Sequence, residues 1–79
     1  MRMNKQQKKA VMARVEVARF CVRSGEPDYA ITAIESTRDL ALEFVPHTHQ
    51  FMNWLSDAAE ECEIGSLEKA MHLLDAAEI

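Results

Sequence analysis

The sequence predicts an all-α fold of four helices arranged as two stacked αα-hairpins, a single small helical bundle over residues 1–79. Two observations lead to it. Apolar residues recur at three- and four-residue intervals along most of the chain, the spacing of a helix with one buried face. The 79 residues also hold only two glycines, two prolines and five aromatics (Phe20, Tyr29, Phe44, Phe51, Trp54), too few turn and strand formers for a sheet of several short strands. A core drawn from so short a chain rarely supplies more than about 3–5 kcal/mol of net stability. Association with a second copy or another partner is therefore expected.

The first helix is predicted over about 4–24. Val11, Val15, Ala18 and Val22 fall on one narrow face, and Ala10, Val17 and Cys21 widen it on one side. Gly25 supplies the stop, and Pro27 suits the first turn of the next helix, where its missing N–H would be unpaired anyway. That second helix spans about 27–44. Tyr29, Ala30, Ile31, Ala33, Ile34, Leu40, Ala41, Leu42 and Phe44 cover more than half of its circumference, which calls for more than one neighbour. Pro46 and His47-Thr48-His49 break the pattern, with Thr48 the expected N-cap. A third helix over about 49–63 presents Phe51, Leu55, Ala58 and Cys62, with Met52 and Ala59 beside them. Gly65 ends it, and Ser66 is placed to cap a fourth helix over about 67–78, whose inward face is Leu67, Ala70, Met71, Leu74 and Ala77.

A shift of about forty positions superposes the two halves. Val11, Val15, Ala18, Val22, Gly25, Ala30 and Ile34 then stand opposite Phe51, Leu55, Ala58, Cys62, Gly65, Ala70 and Leu74. Each half is helix, Gly turn, helix. The segment Trp54-Leu55-x-x-Ala58 followed by Gly65-Ser66-Leu67-Glu68-Lys69-Ala70-Met71 resembles the helix–turn–helix unit of a tetratricopeptide repeat, and Gly25 with Ala30-Ile31, closing at Pro46, is similar. The resemblance implies a peptide- or protein-binding scaffold without catalytic residues.

Charge is distributed unevenly. The total is −4, yet residues 1–24 carry seven Lys and Arg against Glu16 alone, and residues 25–79 carry Arg38 and Lys69 against twelve acids. Lys5, Lys8, Lys9, Arg19 and Arg23 share one arc of the first helix, opposite its valine stripe. Such an arc can neutralise phosphates, so a nucleic-acid-binding regulator is the second reading. The acidic remainder would repel the same polyanion. Asp28, Glu35, Asp39 and Glu43 form the mirror-image array on the second helix. Charge complementarity of this kind selects protein partners and speeds encounter more than it adds affinity.

Chemistry-bearing motifs are sparse. His47-x-His49 with His72 and Cys62 lacks the spacing of a zinc site, and Cys62 among Glu60, Glu61 and Glu63 is the reverse of an activated thiol. Cys21 and Cys62 are expected to be small buried side chains in a reducing compartment. With two glycines there is no phosphate-binding loop. No metal, cofactor or enzymatic activity is expected, and no membrane span. The first reading is a cytoplasmic, non-enzymatic protein-interaction module and homodimer, an adaptor or an inhibitor of phage or mobile-element type acting on a charged surface of a larger protein. Its proposed contacts are Lys5, Lys8, Lys9, Arg19, Phe20, Arg23, Asp28, Glu35, Asp39, Glu43 and Trp54.

Overall fold

Helices form where the apolar periodicity places them, and their ends are set by local hydrogen bonding. The computed structural model describes residues 3–79; Met1 and Arg2 lie outside the described residues. It contains α1 (Lys5–Arg23), α2 (Pro27–Ala41), α3 (Gln50–Glu63) and α4 (Leu67–Ala76). No strand occurs among the described residues.

Asn4 starts α1 with a capping box. Its side chain accepts from the Gln7 N–H at 2.8 Å, and the Gln7 side chain accepts from the Asn4 N–H at 2.9 Å. Two donors that no helical carbonyl can reach are thereby paired. At the start of α3 the expected cap is corrected by one residue. His49, not Thr48, is the N-cap, and its Nδ1 accepts from the Phe51 N–H at 3.1 Å. Ser66 does occupy the N-cap of α4, but its side chain makes no capping hydrogen bond.

The second helix is shorter than its apolar run. It ends at Ala41, and the chain tightens into bonds from Glu43 N–H to Leu40 O and Phe44 N–H to Ala41 O. Pro46 disfavours helical geometry in the residue before it, and the turn folds Val45 back into the core instead. The fourth helix stops at Ala76 rather than 78; Ala77 turns extended (ψ 112°) yet stays buried.

The two interhelical glycine turns are the same structure forty residues apart. Gly25 and Gly65 have φ of 73° and 83°. Gly25 donates to Val22 O and Glu26 to Cys21 O; Gly65 donates to Cys62 O and Ser66 to Glu61 O. This is the Schellman arrangement, which pairs the last carbonyls of a helix and requires a left-handed residue.

Packing closes the helices into a ring: α1 against α2, α2 against α3, α3 against α4, and α4 back against α1. The short turns make the consecutive helices antiparallel. Val11, Val15, Ala18 and Val22 of α1 are buried together with Phe51, Leu55, Ala58 and Cys62 of α3, the same positions forty residues on. Ala30, Ile34 and Thr37 of α2 have Ala70, Leu74 and Ala77 as counterparts. Thr37, the one fully buried polar residue among the described residues, donates its hydroxyl to Ala33 O at 2.7 Å, so that hydroxyl is paired.

Leu55→Ala is expected to cost about 3 kcal/mol, most of the stability such a core supplies, because the ring has no second layer to collapse into the cavity. A urea titration followed by circular dichroism measures it. Gly25→Ala and Gly65→Ala are expected to cost about 1–2 kcal/mol each and nearly equally, since a Cβ at either site meets no atom and the penalty is the left-handed backbone alone.

Candidate interaction surface

Because each helix commits one stripe to the core, contact with other molecules falls to the outer faces. The pair Arg14–Ser36 locates one of these. Arg14 Nη1 donates to Ser36 Oγ at 2.6 Å, which identifies the flank of α1 that meets α2. Cys21 lies two helical turns beyond Arg14 and Tyr29 two turns before Ser36, so both line the same seam. Val17 and Phe20 stand further out on α1. Val17, Phe20 and Tyr29 are 55%, 64% and 68% exposed, a large apolar area for a small hairpin to leave in water. Exposed Ala10 and Ala13 extend the strip along α1. The other exposed large apolar residues, Leu42 and Ile64, lie in turns away from it.

The internal repeat supplies a control for this observation. At the equivalent positions of the second hairpin stand Asp57 for Val17, Glu60 for Phe20, Glu61 for Cys21 and Lys69 for Tyr29. Arg14 is the exception, standing opposite half-buried Trp54; otherwise the same backbone carries a charged outer seam on α3–α4 and an apolar one on α1–α2. A seam that only needs solubility takes the first form; a seam covered by another molecule takes the second.

Charges border the apolar seam on both sides. Lys5, Lys8, Lys9 and Arg23 are exposed on α1, and Asp28, Glu35, Asp39 and Glu43 are exposed on α2 or the turn after it. None of these eight takes part in an ion pair among the described residues. Arg19 behaves differently from the other cations of its arc. Its side chain is only 16% exposed, and its Nη2 donates to Leu74 O at 2.8 Å. Nε lies 3.3 Å from Asp75 Oδ1, oriented for an ion pair rather than a hydrogen bond, and Glu16 holds Nη1. A guanidinium at the C-terminal carbonyls of α4 offsets that helix's dipole and ties α4 to α1. Arg19 is thus a bracket of the fold, and Trp54 is half-buried and packed against the core. Phe20 remains the exposed aromatic of the sequence reading, joined by Val17 and Tyr29, which that reading did not single out as contacts. The repeat alignment would have exposed both, as apolar residues facing charged counterparts.

Other regions offer less chemistry. An open groove of about 400 Å³ runs along the opposite flank of α1, floored by Val22, Leu67 and Met71 and rimmed by Arg23, Glu68 and Asp75. It is too open to enclose a small ligand. Among the described residues no three His, Cys, Asp or Glu side chains converge to hold a metal ion. Both cysteines are free. Burial, and then the Glu61 carboxylate, push the Cys62 thiol above its ordinary value, which suppresses thiolate. No helix among the described residues is long and apolar enough to cross a membrane. Compared with protein-family models, curated proteins and solved structures, the chain shows no significant match.

Arg19→Gln is expected to lower stability by about 1–2 kcal/mol, whereas Lys9→Gln stays within about 0.5 kcal/mol of the parent. Paired urea titrations separate the structural cation from the free one.

Proposed function

We propose that the protein is a non-enzymatic protein-recognition module, of adaptor or inhibitor type, that binds through the outer face of the α1–α2 hairpin. The observation that carries this reading is the exposure of Val17, Phe20 and Tyr29 where the equivalent seam of α3–α4 is charged. Aromatic residues standing clear of the core bury much area at little entropic cost when covered, and the flanking unpaired charges set orientation and encounter rate. The helical-hairpin likeness to tetratricopeptide units fits such a role. With α4 packed back against α1, this reading assigns binding to the outer face of the hairpin.

Docking of the α1 cations on nucleic acid is the competing reading, since Lys5, Lys8, Lys9 and Arg23 are exposed and unpaired. The acids of α2 lie across the same face and would repel a phosphate backbone at low salt, where repulsion reaches furthest.

The test replaces Val17, Phe20 and Tyr29 by the residues the second hairpin uses: Val17→Asp, Phe20→Glu and Tyr29→Lys together. The parent chain, immobilised, is expected to retain a protein ligand that the triple variant releases, with helical content unchanged by circular dichroism. Duplex DNA is expected to pass through even at low salt. Equal retention of ligand by both chains would refute the assignment of the face. Retention of DNA with a steep salt dependence, lost on Lys8→Glu/Lys9→Glu, would replace it with the nucleic-acid reading.

A further inference from the structure

We propose that the molecule covering the α1–α2 face is a second copy of the same chain, the two related by a two-fold axis parallel to the helices, so that each α1 lies over its partner's α2. The inference rests on the reading of this face as a recognition surface and names its occupant.

Three features of the face support it. The first is the order of its strips. Crossing from the outer edge of α1 to that of α2 one meets exposed Lys9, then the seam (Phe20, Val17, Arg14, Tyr29), then exposed acids (Asp39, Asp28). Rotation about an axis along the seam exchanges left and right. Each Lys9 is laid on the acidic edge of the partner's α2, and seam meets seam. A two-fold axis perpendicular to the helices would instead stack α1 on α1, cation on cation, which costs affinity.

The second feature is register. Arg14 faces Ser36 across the seam, and in an antiparallel hairpin each step forward on α1 is a step back on α2. Lys9 is therefore level with Asp39 to within one helical turn. Rotation about an axis parallel to the helices preserves this level, so the Lys9–Asp39 match forms twice across the interface. Two like-charge approaches result: Glu16 toward the partner's Glu35, with Glu16 already paired with Arg19, and seam residue Arg14 toward the partner's Arg14, with Arg14 already held by Ser36.

The third feature is size. The molecule measures 34 × 21 × 18 Å. A face of 34 × 21 Å is of the scale of the roughly 800 Å² that each partner contributes to a standard interface. Seating Phe20 near the partner's Tyr29 and Ala33 would also add apolar burial to a chain too short to build a deep core of its own.

Sedimentation velocity across a concentration series is expected to show a monomer–dimer equilibrium that Phe20→Glu abolishes without loss of helix. Lys9→Glu and Asp39→Lys are each expected to weaken the dimer about tenfold, because attraction turns to repulsion at two symmetric places. An equimolar mixture of the two variants is then expected to recover the parent affinity as a heterodimer, an outcome only the proposed pairing of α1 with the partner's α2 produces. A monomer at every concentration overturns the inference, as does a dimer indifferent to Phe20→Glu or a mixture that fails to recover. A photo-crosslinking benzoylphenylalanine in place of Phe20 separates the two levels of failure. Cross-links only to a different protein overturn self-association and leave the recognition face standing, whereas no cross-link to any protein removes both.

Discussion

The inward stripe of each helix is the constraint on which the rest of this structure depends. With one shallow core to build, every helix must give its i, i+4, i+7 positions to the ring, and alanine at Ala18, Ala30, Ala41, Ala58 and Ala70 lets the helices approach closely around larger Val, Ile, Leu and Phe side chains. Nothing is left inside for a cavity lined with polar groups. The one fully buried hydroxyl, that of Thr37, is used up on its own helix. The side chains that the core does not need are all on the outer faces.

That constraint makes the internal repeat informative twice. Inward, the two hairpins agree residue by residue, down to the same pair of hydrogen bonds around Gly25 and Gly65. Outward, they diverge. Where packing demands nothing, Val17, Phe20 and Tyr29 face Asp57, Glu60 and Lys69 at equivalent places. Burial in the fold explains neither set. The cations follow the same logic. Arg19 is spent at the C-terminus of α4, while its neighbours on the arc form no ion pair among the described residues.

The architecture was legible because its signal is local and periodic. Spacing placed all four helices and nearly all of their buried positions, and Gly25, Gly65 and Pro27 marked boundaries by backbone chemistry that does not depend on context. Shortfalls came where one hydrogen bond decides between neighbours. Asn4 and Gln7 carried a recognisable box that composition and periodicity passed over. Thr48 and His49 are both competent caps, and the choice of His49 follows from where the chain leaves Pro46 and enters the ring. The tail of α2 looked helical by periodicity, but the same apolar residues serve a turn that drives Val45 inward.

For the surface, the division is sharper. Residue types and their order along the chain determined an all-α bundle of two hairpins, a basic first helix and an acidic remainder, because helical period and formal charge are properties of the chain itself. Which of those charges are free, that Arg19 is a strut and Trp54 half-buried, and that Val17, Phe20 and Tyr29 stand together between a cationic and an acidic border were decided only by tertiary structure. Those facts depend on which flank of each helix meets which neighbour, and a single helix carries no record of the order in which four of them close a ring.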